Sequence, residues 1–265
     1  MDIVYLDDHD AVLPDVPLLR NLSDVENLPL PSFKKGKAME YALNLYEYIC
    51  EQVRGREFHV AFCEWLRNPF DMATWLYGEQ ELLNALTSDS EGAHRLIEYA
   101  TRARISWTRE RAAFLGEERY VSAGMYSDNV GAMMISPEQY LKYVQPYELQ
   151  IADLHGGIYY WHCCGDATRL LEQLKNLPLE LFHVGPWTNV RKAAEVFGPR
   201  GVALEICVQK HGHYGPGPWP PEDDIFQATP KDIERKIQRI VRARETGRYG
   251  LETVLKLSLI HISEP

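Results

Sequence analysis

Cysteine is scarce and unevenly placed. The 265-residue chain has five, Cys50, Cys63, Cys163, Cys164 and Cys207, an odd count at irregular spacing that suits reduced thiols or a metal site better than a disulfide framework. Positive charge is in deficit: 28 Lys and Arg stand against 38 Asp and Glu, a formal net charge of -10. That balance repels phosphate backbones and anionic lipid heads, so general binding to nucleic acid or to a membrane surface is not expected. No apolar run approaches the roughly 20 residues that span a bilayer. The first ten residues are acidic where a secretory signal would be basic, and a cytoplasmic protein is expected. No Gly-rich dinucleotide or phosphate fingerprint follows an apolar run, which removes the commonest nucleotide-binding readings. Disorder is not expected either, because 45% hydrophobic and 25% charged residues are ordinary for a packed enzyme.

What the sequence does have is alternation. The stretch to about Lys37 is rich in Asp, Pro and Leu with little periodicity and reads as a connecting loop or lid. Residues 38–53 read as a helix and 58–63 as a short strand ending in Glu64-Trp65, after which Asn68-Pro69 supplies a cap and first position for the next helix. A helix over 91–115 precedes a strand over 120–126 that delivers Ser127-Asp128-Asn129 to its carboxyl end. A helix capped by Ser136 runs past Ile151 to Gly156-Gly157. Strands over 158–163, 181–184 and 202–207 then alternate with helices over 167–177 and 190–197, and a helix over 230–245 leads to a further strand near Lys256. Such alternation implies parallel strands joined by right-handed crossovers, an α/β fold. Unusual polar residues recur at strand carboxyl ends, namely Glu64, Asp128, His162, His183 and Glu205, which favours a barrel over an open sheet. About five strands are convincing, fewer than the eight of a closed barrel, so the expectation is an incomplete TIM (β/α)8 barrel.

The most specific local feature is His162-Cys163-Cys164-Gly165. A histidine and a cysteine two apart at a strand end project to the same side, and imidazole and thiolate are preferred zinc ligands. The same residues also suit a hydrogen-bonded core histidine and two small packing cysteines, and the pair alone does not choose between these. Asp128 reads equally as a substrate-binding or acid/base group and as a helix cap. Tyr159 and Tyr160 alternate, so at least one is expected to face outward against helices. The Gly-, Pro- and His-rich segment from Lys210 to Pro221 reads as a lid that sets substrate selectivity, with His211 and His213 as weaker metal candidates.

Three blocks carry a resemblance: Ser136-Pro137-Glu138-Gln139-Tyr140 with Pro146-Tyr147, then His162-Cys163-Cys164-Gly165-Asp166 with Leu170-Leu171, then Val202-Ala203-Leu204-Glu205. Through them the chain resembles, from about Asn27 to Lys256, the uroporphyrinogen decarboxylase superfamily, and its His-x-Cys-Gly element is similar to that of the zinc-dependent cobalamin and corrinoid methyltransferase branch. The resemblance implies a TIM barrel of that type, zinc bound by His162 and Cys164, and transfer of a methyl group from a corrinoid protein to a small thiol-type acceptor. It implies a third zinc ligand, a cysteine, from the last barrel strand; within this chain Cys207 and Glu205 are substitutes that share one strand parity. Asp128 and Glu205 are the implied catalytic residues, and Glu64, Tyr126 and His183 the implied cofactor-contacting ones. A decarboxylase of an acidic tetrapyrrole, which in this family needs no metal, and a non-catalytic corrinoid-binding module are the alternatives. The His-x-Cys-Gly element favours the methyltransferase. Residues 1–256 are expected to form a single partial barrel domain. Residues 257–265 look like the translation of a transposase adapter used in building sequencing libraries, which implies a fragment assembled from an environmental read.

Overall fold

A computed structural model describes residues 17–57, 60–120, 122–131, 134–185, 187–208, 229–231, 234–235, 238 and 253–257, residues 207–208 and 253–257 by their backbone alone. Five parallel strands form one sheet: β1 (Ala123–Tyr126), β2 (Ile158–His162), β3 (Leu179–Val184), β4 (Ala203–Val208) and β5 (Thr253–Leu257). Their order in the sheet is their order in the chain. Parallel strands added in chain order without reversal follow the winding of a barrel wall; an open doubly wound sheet would reverse its order.

The helices before the sheet are α1 (Lys37–Gln52), α2 (Pro69–Tyr77), α3 (Glu79–Ser88) and α4 (Ser90–Leu115). Those between the strands are α5 (Pro137–Tyr143), α6 (Gln145–His155), α7 (Leu171–Leu174) and α8 (Val190–Phe197). Local signals set most of their starts. Asn68 caps α2 by accepting from the Asp71 amide at 2.6 Å with Pro69 at the first position, and Ser136 and Gln139 form a reciprocal capping box at α5. The helix expected across 136–155 is two, because Pro146 has no amide to give the Lys142 carbonyl and its ring crowds that group; Val144 takes φ -121° and ψ -60° at the join. The helix expected over 167–177 shortens to a 3-10 turn and one turn of α7. Pro178 disfavours helix at Leu177, and the Arg200 guanidinium bonds the Lys175 and Leu177 carbonyls that a longer helix would have used.

Among the described residues 60–63 the expected strand is not formed; residues 58 and 59 lie outside the described residues. Residues 60–66 carry no strand, the Leu66 carbonyl accepts from the Tyr126 amide at 2.8 Å, and Arg67 makes a single parallel bridge to Tyr126. Two arginines one heptad apart on α4 take the carbonyls a neighbouring strand would have taken. Arg111 donates to Phe62 and Cys63 at 2.9 and 3.0 Å, and Arg104 to Arg67 and Gly124 at 3.0 and 2.7 Å. The early segment is not a lid where it is described, since Leu19, Leu22 and Val25 are buried in the main core. That core fills the space between helices and the outer sheet face, around Met125, Trp161, Phe182, Phe197, Leu204 and Ile206. A second cluster joins Phe33, Phe62 and Trp107, with edge-on ring pairs at 5.2 Å, to α1 and the end of α4. The proposed lid over 210–221, with His211 and His213, lies outside the described residues, as does most of 230–245.

Candidate metal centre

Strand alternation gives the inner sheet face a row of polar rings. Tyr126 is paired with His162 across β1 and β2, and His183 with Glu205 across β3 and β4. His183 follows the Trp161–Phe182 pair, so it falls beside His162. The His162 ring is held between Tyr126, centroids 4.7 Å apart, and His183, 4.1 Å apart, both inclined 29°. His183 Nδ1 lies 3.1 Å from the Cys163 carbonyl. Burial, reinforced by His162, pushes the His183 pKa down to about 4, which leaves it neutral near pH 7.

Beyond β2 the chain turns and presents Cys164. His162 Nε2 lies 3.0 Å from Cys164 Sγ and 3.5 Å from Asp128 Oδ1, and Asp128 Oδ1 accepts from the Cys164 amide at 3.0 Å. One ligand atom from each of Asp128, His162 and Cys164 lies within 4.8 Å of the other two, the three residues being half-buried. Cys163 points elsewhere. It is fully buried, and burial pushes its thiol pKa well up, so it stays a protonated packing group. Gly185 lets β3 pass beneath this turn: a Cβ there would meet the Cys163 carbonyl oxygen at 2.6 Å.

Asp128 is fixed from below. It opens a short 3-10 turn whose amides at Asp128 and Asn129 donate to Asp71 at 2.9 and 3.1 Å. Arg67 pairs with both Asp128 and Asp71, the latter at 3.3 Å, and its guanidinium lies over Trp75 at 4.9 Å. Asp71 is completely buried, and that burial, with Asp128 nearby, raises its pKa to about 8 despite Arg67 and the two amides. A second buried carboxylate, Glu148 on α6, accepts from Asn68 Nδ2 at 3.2 Å, Ser127 Oγ at 2.8 Å, Tyr140 Oη at 2.5 Å and Trp161 Nε1 at 3.1 Å. It ties the ends of β1 and β2 to α2, α5 and α6.

The structure therefore gathers His162, Cys164 and Asp128 into one cluster, with Tyr126 and His183 on the two faces of the imidazole. Glu205 is buried and accepts from the Tyr160 hydroxyl, whose oxygen lies 3.2 Å from His162 Nδ1. Cys207 keeps its place in β4, but its side chain lies outside the described residues. Glu64 is not gathered in. It sits on the segment held by α4, where burial raises its pKa against the pull of Arg111 and Arg104, and among the described residues no hydrogen bond joins it to the cluster. The outward turn expected for Tyr159 or Tyr160 is also corrected. A register shift opposite Ala123–Gly124 leaves Tyr159 as an extra residue, a bulge, and brings its hydroxyl over Gly124 with its ring nearly parallel to that of Tyr160.

Arg67, Asp71, Glu148 and Tyr160 were missed in the sequence. Signals existed for three: Arg67 and Asp71 are an i, i+4 pair beside a marked cap, and Glu148 shares a helix face with Ile151 and Ala152.

The chain matches the signature of the family described as uroporphyrinogen decarboxylase (URO-D) over residues 2–253. A methylated-thiol–coenzyme M methyltransferase of Methanosarcina mazei is 25% identical over 117 residues, which is 44% of this chain and 31% of that protein. The aligned part thus spans less than a third of that relative. A solved structure described as a methyltransferase from Methanosarcina mazei superposes with a TM-score of 0.63 at 15% identity, covering 99% of this chain and 71% of the other. At that identity the likeness shows the fold.

Proposed function

The chain belongs to the uroporphyrinogen decarboxylase family, and we propose that it is a methyltransferase of that family that holds zinc through His162 Nε2, Cys164 Sγ and Asp128 and passes a methyl group from a corrinoid protein to a small thiol-type acceptor. The convergence of those three ligand atoms carries the reading. Around tetrahedral zinc, bonds of about 2.0–2.3 Å place ligand atoms roughly 3.3–3.7 Å apart. The N···O separation of 3.5 Å matches, and the N···S separation of 3.0 Å needs only a slight opening. One nitrogen, one sulfur and one oxygen donor suit zinc, and three protein ligands leave a position for substrate. In this reading Asp128 is the third ligand, where the resemblance had suggested Cys207, whose side chain lies outside the described residues, or Glu205.

Zinc bound there supplies a Lewis acid that keeps a thiol deprotonated at neutral pH, ready to attack a methyl group. The chain's own residues supply the rest. Arg67 and the Cys164 amide orient the Asp128 carboxylate, Tyr126 and His183 hold the imidazole plane, and the neutral His183 adds no positive charge beside the site. A thiol acceptor and a corrinoid donor are supported by the resemblance of the His-x-Cys-Gly element and by the relative named for a methylated thiol.

Elemental analysis tests this. The purified chain is expected to carry about one zinc per molecule, lost in His162→Ala and Cys164→Ala and held more weakly, by roughly 10-fold or more, in Asp128→Asn. A metal-free chain that transfers methyl groups, or that decarboxylates a porphyrinogen, sinks the proposal.

A further inference from the structure

We propose that Tyr160 and Glu205 form a positioning relay that fixes which nitrogen of His162 carries the proton, and so turns Nε2 toward the metal as a lone pair; this rests on the zinc reading above. The Tyr160 hydroxyl has one hydrogen, and it is given to Glu205 Oε2. The same hydroxyl oxygen lies 3.2 Å from His162 Nδ1, and with its hydrogen committed it meets that nitrogen as an acceptor. The ring proton of His162 therefore sits on Nδ1. Nε2 is left as the lone-pair nitrogen, 3.0 Å from Cys164 Sγ and 3.5 Å from Asp128 Oδ1, where a protonated nitrogen would block a cation.

The stacking partners and the relay divide the work. Tyr126 and His183 fix the ring plane, which leaves both tautomers open; Cys164 and Asp128 stand at Nε2 and the Tyr160 hydroxyl at Nδ1, and it is the group at Nδ1 that favours the tautomer leaving Nε2 open to a cation. Metal-bound histidines commonly give their second nitrogen's proton to a carboxylate or carbonyl, a contact that orients the ring and raises its basicity. Here a tyrosine is interposed, because Glu205 stands on β4, two strands from His162. The relay makes Glu205 a positioning residue, neither a metal ligand nor a proton donor to substrate.

The test uses the full chain, with zinc ion as the probe. In metal-free protein at mildly alkaline pH, the nitrogen-15 shifts of His162 are expected to report the Nδ1–H tautomer, and Tyr160→Phe to shift the population toward Nε2–H. Zinc affinity by chelator competition is expected to fall about 10- to 100-fold in Tyr160→Phe and Glu205→Leu. It should largely recover in Glu205→Gln, whose amide oxygen still accepts from Tyr160. An Nε2–H tautomer in the metal-free wild type, or a Tyr160→Phe protein with unchanged tautomer and zinc affinity, overturns the relay. If Tyr160→Phe does not fold, the wild-type tautomer and the Glu205→Leu and Glu205→Gln pair decide it. A wild type that binds no zinc yet shows Nδ1–H overturns the metal reading and leaves the relay standing.

Discussion

Glu148 touches no ligand atom of the cluster, yet four donors, from the cap of α2, from α5 and from the ends of β1 and β2, converge on it. Removing its carboxylate in Glu148→Ala leaves buried donors without an acceptor, at a cost upwards of about 3 kcal/mol, measurable as a lower urea midpoint. Burial raises its pKa even though the four hydrogen bonds pull the other way. A carboxyl whose folded pKa is raised contributes stability that is full below its unfolded value near 4.5 and is lost as pH rises through the folded value. Glu148→Gln removes that decline, so its unfolding free energy should fall less than the wild type's as pH climbs above about 4.5; parallel pH profiles contradict this. At this scale two-residue spacing at a strand end singles out His162 and Cys164, although β2 ends at His162 and it is the turn after it that brings Cys164 back to the imidazole. Arg67, Asp71 and Glu148 carry only local hints, since the partners that give them a role, Asp128 for the first two and Ser127 and Trp161 for Glu148, lie on other elements.

Among the elements, Gly185, just past the end of β3, meets the Cys163–Gly165 turn backbone against backbone beside the cluster. In Gly185→Ala the new methyl meets the Cys163 carbonyl, which is backbone and cannot rotate away. The turn that presents Cys164 must shift, and zinc affinity is expected to fall at least tenfold while far-ultraviolet circular dichroism keeps its native form. Retained affinity shows that the turn has slack. The start of α2 and both ends of α4 and α8 were legible to within a residue or two because caps and periodicity are set by neighbours in sequence. The 58–63 run was misread for a complementary reason. Its apolar content is that of a buried strand, but whether a strand forms depends on what meets its carbonyls, and that was decided on α4, some 40 to 50 residues later.

For the whole molecule, the sequential parallel order was legible in the alternation of elements, since right-handed crossovers leave few other arrangements. The inner-face chemistry was less so, because a single bulge at Tyr159 overrode the alternation on which the expectation rested. The arginine contacts along residues 62–67 have a consequence for the fate of the protein in concentrated solution. An extended apolar segment with bare carbonyls invites the strand of another molecule, and natural proteins place charge at such edges to refuse it. Arg111, with Arg104, acts as that guard here from the side of a helix. Arg111→Met should leave the cluster around His162 intact but make the protein accumulate as concentration-dependent, thioflavin-binding aggregates, with light scattering at concentrations where the wild type stays clear.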